Sequence, residues 1–207
     1  SFVAVDEAHC ISEWGNDFRP EYRNISAIRT FNKDLSLIAL TATATPEVVK
    51  DIEDQLCFQK SNIIKKSFIR SNIKYNVINA ISKEKVLIKL LGKECSIIYV
   101  RNRKKTRELS QLLNKNDFKT DYYHAGIDFK ERSKKQEKWL NNEFDTMIAT
   151  NAFGMGIDKP DVKTVIHFDL PDTLESFYQE SGRAGRNGTA SYSIVLKDDQ
   201  DVDNLKK

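Results

Sequence analysis

The stretch Thr146-Met147-Ile148-Ala149-Thr150-Asn151-Ala152-Phe153-Gly154-Met155-Gly156-Ile157-Asp158-Lys159-Pro160 runs from a short apolar block into a loop that carries two glycines and ends at a proline. A short apolar run bounded by turn residues reads as a strand buried on both faces. Seven further β-rich runs recur, at residues 2–5, 35–40, 73–78, 96–100, 120–123, 164–168 and 192–196. Longer stretches of helical character separate most of them. Strand and helix in alternation predict an α/β fold, a parallel sheet with helices on both faces.

Helix starts are legible as well. Thr45 precedes Pro46 at a first helical position with Glu47 in the first turn, while Asp128 with Glu131 and Asp172 with Glu175 have the spacing of an N-cap and its reciprocal acid. Trp139, Leu140 and Phe129 sit at helical spacing and read as core. The boundary between two units falls near residues 68–72, inside a polar segment. Only two strands precede it, whereas sheets of this class hold about five. Residues 1–68 are therefore expected to be the end of one sheet unit and residues 69–207 a second, complete one. No internal repeat or low-complexity tract is visible, and the acidic run 198–203 reads as a solvated terminus.

Of the 207 residues 40% are apolar and 30% charged, which suits a core-forming protein and argues against disorder. A net charge of +3 is too small to indicate a nucleic-acid partner by itself. Cys10, Cys57 and Cys95 are odd in number and far apart, which argues against a disulfide framework and against a zinc site of paired cysteines. An intracellular location is expected, with no apolar run near the roughly 18 residues of a membrane span and no secretory leader pattern.

The run Phe2-Val3-Ala4-Val5 ends in Asp6 and Glu7. Adjacent carboxylates at a strand end point in different directions, so that Asp6 can hold Mg²⁺ through water while Glu7 orients and deprotonates an attacking water; an ordinary surface pair is the alternative. A phosphate loop of the form G-x-x-x-x-G-K-[ST] would favour the first reading. Gly92-Lys93 is the single Gly-Lys pair, with Leu87 at the first glycine position and Glu94 at the hydroxyl position, so the loop is not in this sequence.

The remaining motifs follow in order: Asp6-Glu7-Ala8-His9, the aromatic-rich run 14–22, Thr41-Ala42-Thr43, Tyr123-His124-Ala125-Gly126, the stretch 149–160, and Gln179-Glu180-Ser181-Gly182-Arg183-Ala184-Gly185-Arg186. This set closely resembles the RecQ family of ATP-dependent DNA helicases within superfamily two, over nearly the whole chain. The resemblance implies RecA-like lobes with ATP between them: residues 1–68 as the C-terminal part of lobe one, and residues 69–207 as lobe two. It implies ATP and Mg²⁺ as ligands, single-stranded and partly duplex DNA as partner, and 3′ to 5′ unwinding in repair and recombination. The location would be cytoplasmic in a bacterium and nuclear in a eukaryote. Without a phosphate loop, the 207-residue chain is expected to be inactive alone. Ser71 and the run Val100-Arg101-Asn102 depart from the family pattern, and no four-cysteine zinc module or winged helix follows Leu196.

Site roles follow by position. Arg183 and Arg186, between glycines, can fork onto phosphate oxygens and offset charge in the transition state, an effect typically of about 10³ to 10⁵ in rate. One is the finger and the other its organiser, with Arg186 the first choice. The resemblance implies that His9, Thr41, Thr43, Gln179, Asp158 and Gly156 belong to the ATP site and its coupling, with Asp158 able to hold either the ribose or an arginine. Trp14, Phe18 and Arg19 are placed to stack on bases or touch the strand, and Thr150 with Gly154 to meet a phosphate. Met155 reads as packing. The basic side chains of the run Arg101-Asn102-Arg103-Lys104-Lys105 either touch the strand backbone or form a solvated face. His124 and His167 read as structural. Two rivals stand beside this reading: a catalytically silent nucleic-acid-binding lobe, marked by salt-dependent binding of single strands with no ATPase, and an RNA helicase or remodeller with the same ATP machinery, separated by stimulation with DNA against RNA.

Overall fold

The computed structural model describes residues 2–13, 18–32, 35–67, 69–154 and 157–201. The chain forms two compact units, Ser1–Phe68 and Ile69–Lys207.

In the first unit β1 (Phe2–Val5) pairs in parallel with β2 (Ser36–Ala39), Phe2 opposite Ser36 and Val5 opposite Ala39. Two 3-10 segments, Ala8–Ile11 and Pro20–Ala27, and the single turn α1 (Ile28–Phe31) connect them. Helix α2 (Pro46–Gln55) follows. It starts where expected: Val48 N–H donates to Thr45 Oγ1 at 3.4 Å and Pro46 occupies the first turn, where a missing N–H costs nothing. Val48 and Ile52, one turn apart, bury against Val5, Ala8, Ile11 and Leu37. Arg29 fastens the unit's ends, donating from Nε to Leu56 O at 2.9 Å and from Nη1 to Leu35 O at 3.2 Å.

The second unit contains β3 (Ile73–Asn79), α3 (Lys83–Leu90), β4 (Ser96–Tyr99), α4 (Arg103–Asn114), β5 (Thr120–Tyr123), α5 (Phe129–Leu140), β6 (Thr146–Ala149), β7 (Thr164–His167), α6 (Leu174–Ser181) and β8 (Ser191–Lys197). Its sheet has the order β3-β8-β7-β4-β6-β5, with every pair parallel. All eight apolar runs are strands. β4 and β6 are buried along their whole length, the signature of a sheet covered on both faces.

Alternation assigns the faces. Ile97, Tyr99, Met147 and Val165 join Trp139 and Phe153 in one core, while Ile98, Val100, Ile148 and Ile166 join Leu87, Leu109 and Leu113 in the other. Trp139 is fully buried and meets Phe153 edge-on at 5.3 Å. Its two expected companions differ: Phe129 is 72% exposed and Leu140 39%, because they lie on the outer side of α5.

The cap of α5 is as expected, with Lys130 N–H donating to Asp128 Oδ1 at 2.9 Å. Helix α6 starts one residue later than expected. Thr173, not Asp172, is its N-cap, with Ser176 N–H donating to Thr173 Oγ1 at 3.1 Å. Asp172 pairs instead with Arg101 at 2.6 Å, across from the β4 loop. A threonine and an aspartate cap equally well by spacing, and the tertiary arginine partner decides between them.

Candidate functional site

At the end of β1 the backbone is tied to the end of β2: Leu40 N–H donates to Val5 O at 2.8 Å and Ala8 N–H to Leu40 O at 2.9 Å. The two residues between, Asp6 and Glu7, are thereby turned outward. Asp6 is exposed and its Oδ1 accepts the Glu7 N–H at 2.9 Å. Glu7 adopts φ 50° and ψ 40°, the left-handed region that a side chain avoids and that is concentrated at functional sites. Its carboxylate remains 43% exposed.

His9 is buried beneath that carboxylate. Its Nδ1 lies 3.4 Å from Glu7 Oε2 and 3.0 Å from Thr41 Oγ1. Thr41 Oγ1 donates its one proton to Thr43 O at 3.0 Å, so it can serve His9 only as an acceptor. Nδ1 is therefore the nitrogen that carries hydrogen, and it faces both the Glu7 carboxylate and the Thr41 hydroxyl. Four residues named from the sequence, Glu7, His9, Thr41 and Thr43, thus form one chain of contacts.

Among the described residues, no group of three or more His, Cys, Asp and Glu gathers as a metal cage. The exposed Asp6–Glu7 pair instead suits Mg²⁺, which keeps several waters and takes one or two carboxylates together with phosphate oxygens.

Of the aromatic-rich run, Trp14 and residues 15–17 lie outside the described residues. Phe18 is half-buried under the Arg23 guanidinium, 4.9 Å from the ring centre, and Arg23 pairs with Glu13 at 3.0 Å. The Arg19 N–H donates to Cys10 O at 2.8 Å, which attaches this run to the 3-10 turn that carries His9.

The arginine loop of the second unit is built on α6. Glu180 Oε2 and His167 Nε2 meet at 3.0 Å, and Ser181 and Ser193 share a buried hydroxyl bond of 2.7 Å, so the last turn of α6 is fixed to β7 and β8. His167 is wholly buried and acts as structure, as expected. Beyond the helix, Gly185 N–H donates to Val162 O at 2.8 Å and adopts φ +60°; a Cβ there would meet Asn72 Nδ2 at 2.5 Å.

The two arginines have different surroundings. Arg183 is half-buried, its Nε has no partner, and its Nη1 donates to Gly154 O at 2.6 Å. A Cβ on Gly154 would meet Arg183 Nη2 at 2.4 Å, so a side chain there would displace the guanidinium from its present place. The neighbouring Phe153 O accepts from Tyr99 Oη at 2.9 Å; burial pushes the Tyr99 phenol up, which keeps it a donor. Arg186 is exposed, and donates from Nη1 to Asp158 Oδ1 at 2.8 Å and to Ile157 O at 3.2 Å. Of the two partners open to Asp158, an arginine is the one it meets here.

Gln179 is exposed on α6. Thr150 is buried just past β6, and its Oγ1 accepts the Ala152 N–H at 3.4 Å. Met155 and Gly156 lie outside the described residues. Asn102 caps α4, with Lys104 N–H donating to its Oδ1 at 2.7 Å. Lys104 and Lys105 line a groove of about 890 Å³ at the carboxyl ends of β3, β4, β7 and β8, where Glu108 and Glu84 offset their charges at 3.6 and 2.8 Å. Sequence reasoning missed Arg70, Asn72 and Tyr99. The first two lie in the polar segment at the boundary between the units, where composition offers little local signal.

Comparison with known proteins agrees with this architecture. Residues 82–188, over half of the chain, match the family described as helicase conserved C-terminal domain, and residues 1–52 match the DEAD/DEAH box helicases. The RecQ-like DNA helicase blm-1 of Caenorhabditis elegans is 44% identical over 98% of this chain and 21% of its own length. The ATP-dependent DNA helicase RecQ of Bacillus subtilis is 43% identical over 97% of this chain and 34% of its own. The chain belongs to the helicases with this conserved C-terminal domain, and among them to the RecQ family.

It spans a fifth to a third of the length of these two relatives. Among solved structures, Saccharomyces cerevisiae Dbp5 bound to RNA and ADP BeF3 superposes with a TM-score of 0.76 at 21% identity, covering 98% of this chain and 55% of that one. A DEAD box protein from Methanococcus jannaschii gives 0.62 at 24%, covering 100% and 56%. At these identities the likeness carries the fold, which is RecA-like. No helix among the described residues is long and apolar enough to cross a membrane.

Proposed function

We propose that this chain is part of an ATP-dependent DNA helicase of RecQ type. That protein moves 3′ to 5′ on single-stranded DNA and separates duplex during repair and recombination, in the cytoplasm of a bacterium or the nucleus of a eukaryote. Residues 1–68 belong to its first RecA-like lobe and residues 69–207 form its second. The observation that carries the reading is the contact chain from Glu7 through the His9 Nδ1–H to Thr41.

A general base for water needs an exposed carboxylate with a fixed orientation, and Glu7 has both. Asp6, beside it, would hold Mg²⁺ through water; the ion, when bound, neutralises phosphate charge and orients the phosphate oxygens. Arg186 offsets the charge that develops on the transferred phosphoryl group, and its present partner, the exposed Asp158, gives it up to do so. Arg183 keeps the 153–154 turn in place. Thr41 and Thr43 pass the state of Glu7 to the backbone through hydrogen bonds that can switch. Trp14, Phe18 and Arg19 meet the DNA strand by stacking, which tolerates any base, and Gln179, Gly156, Thr150 and Gly154 complete the nucleotide and phosphate contacts.

The test uses the full-length protein, with ATP turnover measured with single-stranded DNA and with RNA of the same length, and unwinding on duplexes with a 3′ or a 5′ tail. Stimulation by DNA and unwinding of the 3′-tailed duplex are expected. Preference for RNA would overturn the substrate assignment, and unwinding of the 5′-tailed duplex the polarity.

A further inference from the structure

Helix ends leave carbonyls without partners, and loops bent back on themselves leave more. In the arginine loop these carbonyls converge on one side chain. Arg70 donates from Nη1 to Gly182 O at 3.4 Å, and from Nη2 to Ala184 O at 3.4 Å and to Gly185 O at 3.0 Å. Its Nε points to Asn72 Oδ1 at 3.4 Å. Asn72 Nδ2 in turn donates to Gly185 O at 2.8 Å and Thr189 O at 3.0 Å. Gly185 O is thus held by two side chains, and it also accepts the Gly188 N–H at 3.0 Å.

That carbonyl belongs to the peptide plane that joins Gly185 to Arg186. A carbonyl held by the local turn and by two side chains from a distant segment resists rotation, and so the direction in which Arg186 leaves the backbone is set. The backbone conformation on the other side of the same plane is the left-handed one at Gly185, which only a glycine beside Asn72 allows. Ser191 N–H donates to Asn72 O at 2.8 Å and Ile73 N–H to Arg70 O at 3.0 Å, so the cradle is itself anchored to β3 and β8.

We propose that Arg70 and Asn72 are positioning residues for Arg186. They set the peptide plane from which the guanidinium reaches phosphate, so the segment that leads from the first unit into the second also aims the arginine. The inference rests on the reading of Arg186 given above. A lysine cannot replace Arg70, because a single ammonium does not span three separate carbonyls as a planar fork does.

The test is DNA-stimulated ATP turnover of the full-length protein. Arg70→Gln should lower kcat about tenfold or more and change KM for ATP less than about threefold, because a contact made in the transition state is misplaced while ground-state binding stays. Arg70→Lys should restore little. In an Arg186→Ala background, Arg70→Gln should cost less than about twofold more, since its target is gone. A kcat within about twofold of wild type for Arg70→Gln, or the same tenfold loss in the Arg186→Ala background, would overturn the proposal.

Should Arg70→Gln not fold, Asn72→Ser serves in the same cycle. It is expected to lower kcat about threefold only while Arg186 is present; an unchanged kcat, or an equal loss in both backgrounds, would overturn the proposal. If Arg186→Ala alone keeps full turnover, the reading of Arg186 fails and the positioning role with it. If Arg186→Ala is slow but neither Arg70→Gln nor Asn72→Ser is, only the positioning role fails.

Discussion

The carboxylates after β1 and the arginines after α6 both follow the end of a regular element, yet they are held in opposite ways. Glu7 stands in a left-handed conformation against the buried His9, and Asp6 accepts the next backbone N–H; both carboxylates are open to solvent. The last turn of α6 is fastened to β7 and β8, the loop 182–186 that follows it is held by Arg70 and Asn72 from the segment before β3, and within that loop Arg186 extends outward. The difference follows from the chemistry proposed for each. A base must exchange protons with water and stays open. A guanidinium that offsets transition-state charge works best from a backbone fixed beforehand, so that its side chain alone has to exchange Asp158 for phosphate.

The largest effect expected from breaking this contrast is at Arg186. Arg186→Ala should slow DNA-stimulated ATP turnover by about 10³-fold or more while thermal unfolding of the protein stays close to wild type. Arg183→Ala should slow turnover too, but with a lower unfolding temperature, because Gly154 O loses its donor. Calorimetry beside the turnover assay separates the two, and equal stability losses would blur the assignment of finger and organiser. Trp139→Ala, at the buried centre that backs the 153–154 turn, should cost about 3 to 5 kcal/mol in urea denaturation followed by circular dichroism.

In the first unit, Thr45→Ala should cost about 1 kcal/mol in the same assay, the usual loss of an N-cap. The smallest effect is at His124, whose imidazole is held below the ordinary histidine range by desolvation and then by Arg103 and Lys135, with Glu131 opposing. Its stability contribution is therefore present above about pH 6.5 and is lost as pH falls through the depressed value. Urea midpoints of wild type and His124→Gln should converge above neutrality and separate below pH 6, with wild type falling faster.

Much of this fold is legible in the sequence because both determinants are local. The β-rich runs mark all eight strands, most plainly β4 and β6, which are buried along their whole length; Thr45-Pro46 and Asp128 carry their caps within three residues. Errors arose where a distant partner decides. Asp172 was drawn from capping by Arg101, and Phe129 looked like core because helical spacing alone does not say how wide the buried stripe is. In the candidate site, Glu7, His9 and Thr41 were named from motifs, but their contact through Nδ1 depends on a turn 32 residues away. Arg70 was invisible for the same reason: its carbonyl partners lie 112 to 115 residues along the chain.

The central claim, that Glu7 is the base of a DNA-stimulated ATPase, is tested most directly by Glu7→Gln in the full-length protein. Turnover should fall by about 10³-fold or more, as expected when a catalytic proton acceptor is lost and only binding and electrostatic stabilisation persist. The affinity for single-stranded DNA should stay within about threefold of wild type. Turnover within tenfold of wild type would contradict the assignment.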